Sequence, residues 1–265
     1  MDDEVERAAG LLERLYRDGD MSEEAKQALL RAAHAPKQIG TGLGYEPTSA
    51  RDMLLVSVLV DDSTSIGSLV SDIHYGHSIM LDALREESTG STEIQILTRA
   101  LNRGLLSPFR ELSRAMQLTP QNFSGASQVP RTPLYLESLL TLGTVIAKAK
   151  EQDERGASVR TFTLIVTDGQ DNASGTIGAE HVRPVVIDML HFSTNHIVVG
   201  MGIGEHHDFR RTFEAMGLSR DHIITSGATK DDLRRYFRQI AQSLTLAASS
   251  PNAFYQLASG PLPDA

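Results

Sequence analysis

The sequence predicts an α/β protein: a central, mostly parallel sheet with helices on both faces, preceded by a helical segment. Two observations carry that expectation. Residues 53–60 (MLLVSVLV) and 159–167 (VRTFTLIVT) are nearly unbroken apolar runs, the mark of strands covered on both faces. From residue 53 onward such runs alternate with amphipathic stretches, the pattern of βαβ units. The 265 residues are 40% apolar and 22% charged, a composition able to bury a substantial core.

Residues 1–34 read as two short amphipathic helices. Val5, Ala8, Leu11, Leu12, Leu15 and Tyr16 recur at helical spacing in the first. Asp20 and Glu23 form a capping box for the second. Residues 35–50 (APKQIGTGLGYEPTSA) are rich in Gly, Pro and Thr and read as a linker. Their GTGLG follows no strand and is taken as a turn rather than a phosphate loop. This divides the chain into a helical segment and linker at 1–50, an α/β domain at 51–248, and a loosely ordered tail at 249–265. Phe254, Tyr255 and Leu257 are the tail residues able to dock.

Within the domain, a helix over 68–87 follows the first strand. EIQILTRALN and the segment 105–109 suggest a hairpin, and a polar loop over 113–132 leads to a long helix over 133–156. After the strand ending at Thr167 come a helix over 183–192, a strand over 196–204, a helix over 208–217, a strand over 222–227 and a helix over 229–248. The glycines of GMGIGEHHDF lack the spacing of a nucleotide loop and read as turns, with His206 and His207 as solvated residues. His74 and His77, one turn apart, read as packed or exposed rather than as zinc ligands.

Composition excludes several functions. A net charge of −9 disfavours nucleic-acid backbones and polybasic membrane attachment. The absence of cysteine removes disulfides, thiolate metal sites and Cys nucleophiles. No 18-residue apolar run spans a bilayer. The charged start, MDDEVERAAG, has no secretory pattern, so a cytoplasmic location is expected.

The chemistry gathers where strands end, which is where open α/β sheets bind ligands. Asp61-Asp62-Ser63-Thr64-Ser65 follows the first strand, Thr132-Pro133 precedes the long helix, and Asp168-Gly169 follows FTLIVT. Taken alone, the first cluster allows a helix cap, a nucleophile or a metal ligand. Asp61, Ser63, Ser65, Thr132 and Asp168 together are hard oxygen donors. Such a set suits Mg²⁺, with Mn²⁺ and Ca²⁺ as the nearest competitors. With only two carboxylates among five donors, the ion would stay electrophilic and accept an acidic group from outside. Asp62 is the bystander, and Asp171 and Asn172 are either supports of the site or plain loop residues.

DxSxS after a buried strand, TP before a helix and DG after a second strand resemble, in that order, the metal-ion-dependent adhesion site of von Willebrand factor A (VWA) domains. The resemblance covers about residues 53–247. Asp61, Ser63 and Ser65 correspond to the first-loop motif, Thr132 to the second-loop threonine and Asp168 to the third-loop aspartate. It implies a Rossmann-like fold whose second strand pairs with a short antiparallel edge strand. It also implies partner binding in which the metal bridges to a Glu or Asp of another protein. Lacking cysteine and a secretion signal, the chain is most similar to intracellular bacterial members. These work within multi-protein assemblies, sometimes beside AAA+ ATPases. The expected function is therefore a non-enzymatic, Mg²⁺-dependent protein-binding module. The alternatives are a Mg²⁺-dependent hydrolase or phosphotransferase using Asp61, and a metal-independent scaffold. Against the hydrolase, DxDxT is missed at Ser63 and no lysine follows a strand to neutralise a phosphate.

Overall fold

The computed structural model describes residues 2–32, 34–44, 49–87, 92–124, 130–192, 195–204, 208–227 and 229–263. Six strands form one sheet: β1 (Asp52–Val60), β2 (Glu93–Ala100), β3 (Gly104–Glu111), β4 (Ser158–Thr167), β5 (His196–Ile203) and β6 (Ile223–Ser226). Their spatial order is β3-β2-β1-β4-β5-β6. Every pairing is parallel except β2–β3, which is antiparallel with register shifts between Ile96 and Arg99. The hairpin and the antiparallel edge strand are thus as the sequence suggests.

Side-chain alternation divides β1 between two cores. Leu54, Val56, Val58 and Val60 face α4 (Val70–Glu87) and α8 (Lys230–Ser249). Met53, Leu55 and Leu59 face the side covered by α5 (Leu134–Asp153) and α6 (Ala179–Phe192). Burial on both faces is why the strand sequence shows no polar alternation. The one polar residue inside it, Ser57, donates to Thr163 Oγ1 at 2.8 Å and so is satisfied. A short α7 (Phe209–Ala215) completes the second face.

The N-terminal segment is a further layer on α5 and α6. In α1 (Asp2–Arg17), Ala8, Leu11, Leu12 and Leu15 are buried, while Tyr16 stays 38% exposed. α2 (Glu23–Arg31) starts differently from the capping box expected of Asp20 and Glu23. Ser22 is its N-cap, accepting from Ala25 N, and Ser22 N and Oγ both donate to Asp188 of α6, at 2.7 and 2.8 Å. Asp20 instead pairs with Lys150.

Two stretches read as irregular are helical. Residues Ala35–Gly42, inside the expected linker, form α3 with Pro36 in its first turn. The glycines that argue against a helix are what lets it pack: a Cβ at Gly40 would collide with the Glu4 carbonyl, and one at Gly42 would lie 2.7 Å from Thr144 Cγ2. The tail forms α9 (Pro251–Ser259), capped by Ser250 and docked through buried Phe254 and Leu257, with Tyr255 left exposed. No helix among the described residues is long and apolar enough to cross a membrane.

Candidate functional site

The strand order reverses between β1 and β4, so the loops after these strands leave a crevice at the carboxyl edge of the sheet. β1 delivers Asp61 there. Asp61 N donates to Val166 O, extending the β1–β4 pairing by one bond before the chain turns away. The Asp61 carboxylate is fully buried; Oδ1 accepts from Ser63 N at 2.8 Å and Oδ2 from Thr167 Oγ1 at 2.7 Å. The first bond folds the chain back so that Ser63 and Ser65 present their hydroxyls, 3.0 Å apart. A 3₁₀ turn, Thr64–Leu69, then leads into α4.

β4 delivers Asp168. Its Oδ1 accepts from Ser65 Oγ at 2.9 Å and from Ser63 Oγ at 3.4 Å. Thr132, at the entrance to α5, is held by a reciprocal pair with Asn172: Thr132 N donates to Asn172 Oδ1 at 2.7 Å, and Asn172 N donates to Thr132 O at 3.1 Å. Ser63, Ser65, Thr132 and Asp168 line one cavity of about 620 Å³; Asp61 is fully buried and absent from its lining, tied to it through Ser63 N. Four of the five residues singled out in the sequence therefore share the cavity, and the fifth, Asp61, braces the loop that bears Ser63 and Ser65.

Asp62 points elsewhere, accepting from Asn102 N and Nδ2 at 2.7 and 3.1 Å, with Arg103 Nε 3.7 Å away. Pro133 is the N-cap of α5 rather than its first residue, and its own side chain gives the helix no hydrogen bond. Asp171 Oδ2 accepts from Tyr135 N and Ser174 Oγ accepts from Leu136 N, both at 2.9 Å, while Ser174 Oγ also donates to Asp171 Oδ2. The β4–α6 loop thus caps α5 from a distance and fixes the loop bearing Thr132. Asp171 and Asn172 are supports of the site.

Thr167 belongs to the polar cluster after the second strand in the sequence but is given no role there, and Ser174 is not singled out at all. Thr167 looks like the last residue of a strand, yet its hydroxyl binds Asp61 Oδ2 and meets Gly169 as well, accepting from its N at 3.1 Å. A hydroxyl directly before the strand-end aspartate was the available signal. His74 and His77 are packed: His74 Nε2 lies 2.6 Å from Phe123 O, and His77 Nδ1 accepts from Leu118 N at 3.3 Å. His206 and His207 lie outside the described residues.

Electrostatically the crevice is an open account of negative charge. Among the described residues no Lys, Arg or His pairs with Asp61 or Asp168. Burial, with Asp61 nearby, pushes the Asp168 carboxyl up to about 6. No three His, Cys, Asp or Glu side chains among the described residues form a metal-binding group. The donor set here is of another kind, two carboxylates and three hydroxyls. Its hard, anionic, uncompensated character fits a hard divalent cation.

No protein-family model matches the sequence, and no curated protein matches it. Among solved structures, the pilus adhesin SpaC from Lactobacillus rhamnosus GG, in its open conformation, is similar with a TM-score of 0.51 and 12% identity. The match covers 76% of this chain and 31% of the adhesin, so the chain spans about a third of that protein's length. The SpRpn10 VWA domain matches at TM-score 0.43 and 11% identity, covering 70% of this chain and 94% of that one. A von Willebrand factor type A structure from Catenulispora acidiphila matches at 0.40 and 14%, covering 74% and 43%. The likeness to the adhesin concerns the fold alone. The strand order, the antiparallel edge strand and the helices on both faces make a Rossmann-like α/β fold, as the motif resemblance implies.

Proposed function

We propose that the protein is a non-enzymatic interaction module that binds an acidic side chain of a partner protein through a Mg²⁺ ion. Asp61, Ser63, Ser65, Thr132 and Asp168 would hold the ion, with Mn²⁺ and Ca²⁺ as competitors. When bound, the ion supplies an electrophilic position that a carboxylate from outside can occupy. The observation that carries this reading is the convergence of Ser63, Ser65 and Asp168, within 2.9–3.4 Å of one another, on a cavity where no cation among the described residues balances Asp61 and Asp168. A cavity of about 620 Å³ has room for more than the ion. Thr167 and Asn172 hold their neighbours in place, so the donors are pre-positioned.

The non-enzymatic reading rests on the same lining. Among the described residues it carries no Lys, Arg or His, the groups that would neutralise a transferring phosphoryl or move a proton. The setting we propose is a cytoplasmic multi-protein assembly, with an AAA+ ATPase as the kind of partner to seek first. The test is capture of partners on the full chain in Mg²⁺ and in EDTA, beside the Asp61→Ala variant, with Mg²⁺ calorimetry of both proteins. We expect capture in Mg²⁺ only, and neither capture nor heat with Asp61→Ala. Equal capture in EDTA would return the protein to the metal-independent scaffold class. Metal-dependent turnover of phosphate esters that is lost in Asp61→Ala would make it an enzyme.

A further inference from the structure

A second cavity, of about 420 Å³, lies at the opposite ends of β4 and β5, beside Ser158 and His196. It opens between α5 and α6 and is covered by the turn between α1 and α2. Met21, Val159, Val185 and Met189, all buried, make one apolar wall, and the rest of the lining is largely polar. Its volume is in the range of small-molecule sites, and paired methionines adapt to irregular hydrocarbon shapes.

The polar groups on this lining have an uneven charge balance. Lys150 is claimed twice, by Asp18 and Asp20, each at 2.8 Å. Asp153 and Asp188 have no cationic partner among the described residues. Asp188 is only 8% exposed; Ser22 occupies its Oδ2, and its Oδ1 has no hydrogen-bond partner among the described residues. Asp188 lines the cavity, and its second carboxylate oxygen is open to accept a donor from a ligand. His196 adds no positive charge: burial pushes its imidazole down to about 4, and its Nδ1 is engaged with Thr161 Oγ1 at 2.7 Å.

We propose that this cavity is a binding site for a small amphiphilic amine, whose ammonium meets Asp188 and Asp153 and whose hydrocarbon part lies against Met21, Val185 and Met189. An inorganic divalent ion fits less well. No three carboxylate or imidazole groups among the described residues are placed to ligate one, and the hydrocarbon of Met21, Val185 and Met189 offers it no donor. An anionic ligand would meet two unpaired carboxylates.

The test is calorimetric titration of the full chain with phenethylammonium chloride, and with sodium 3-phenylpropionate as a probe of similar shape and opposite charge. The amine should bind and the carboxylate should not. Asp188→Asn and Asp153→Asn should each weaken the amine about tenfold, the loss of one charge-assisted hydrogen bond. Asp153 is exposed and makes no side-chain bond that the fold relies on, so its variant remains informative should Asp188→Asn fail to fold. Asp168→Ala should leave amine binding unchanged, which separates this site from the crevice whatever becomes of the metal reading. Absence of heat with the amine, equal binding of the two probes, or amine affinity unaltered in Asp153→Asn would each overturn the proposal.

Discussion

The crevice at the carboxyl edge of the sheet and the seam where the N-terminal helices meet α5 both bury carboxylates, and they treat them in opposite ways. In the seam, Glu151 is ringed by cations: Arg7 Nε at 2.7 Å, Lys148 Nζ at 3.2 Å and Arg155 Nη2 at 3.4 Å. Burial alone would push Glu151 up, yet Lys148 and Arg7 hold it below the ordinary range. In the crevice, Asp168 has hydroxyl donors but no cationic partner among the described residues, and it is pushed up to about 6. The lesson is that a buried charge answered by this chain's own residues holds the fold together. A buried charge left unanswered marks where something from outside belongs.

The contrast breaks most visibly at Glu151. Replacing it with Ala leaves Lys148, 1% exposed, and Arg7 without their shared acceptor. Breaking a buried pair in this way costs about 3–5 kcal/mol, read as a drop in the urea midpoint at constant slope. A cost below that of Asp168→Ala would erase the distinction between the two regions.

His77 is the next largest test, because it shows what burial does to a base with no charge partner. It is 1% exposed, and burial, helped by His74, pushes its imidazole down to about 4 from 6.5. A depressed folded value means that the neutral ring's contribution is fully present above 6.5 and is lost as pH falls towards 4. That loss amounts to about 3 kcal/mol. Urea midpoints measured between pH 6.5 and 4 should fall in the wild type. The fall should be smaller in His77→Gln, whatever that variant costs at pH 7.

Gly40→Ala probes the seam without touching its charges. The added methyl meets the Glu4 carbonyl, a backbone group that cannot turn aside, so α1 and α3 must separate. Overpacking of this kind costs about 1–3 kcal/mol. Melting of Gly40→Ala should be lowered while Mg²⁺ calorimetry is unchanged. Loss of Mg²⁺ binding would mean that the seam and the crevice are coupled.

These residues also show what the sequence makes legible. β1 and β4 announce themselves because both faces are covered, which leaves apolar runs without alternation. Asp61, Ser63, Ser65, Thr132 and Asp168 are readable because each lies at an element boundary, where polar residues have few other reasons to gather. α3 is not readable: APKQIGTG has poor helix propensity, and the close approach of Gly40 to Glu4 is a tertiary fact that overrides it. α9 is hidden for the same reason, since the burial of Phe254 depends on a surface made by distant chain. Ser22 replaces the expected cap box because Asp188, 166 residues away, accepts from it. Thr167, Asp171 and Ser174 act through other residues, and neighbours in space leave little trace in spacing.

The smallest effect expected is also the one that bears most directly on the crevice. The Asp168 carboxyl is raised by burial and by Asp61, from 3.8 to about 6. Its contribution to stability is therefore full below 3.8 and is lost as pH rises through 6, the reverse of the His77 case. Above pH 6 the ionised group is a burden on the metal-free protein, reduced by solvent because the side chain is only half-buried. Asp168→Asn should lift that burden, raising stability in EDTA at pH 7.5 by about 1 kcal/mol, or roughly 2–4 °C in Tm. At pH 4 or below, where the wild-type carboxyl is itself neutral, the gain should vanish. Mg²⁺ at pH 7.5 should raise the wild type and leave Asp168→Asn where it was, since the variant has lost the charge that the ion would answer. A variant less stable than wild type in EDTA would mean that Asp168 is already compensated within the chain. The crevice would then belong with the seam, as structure rather than site.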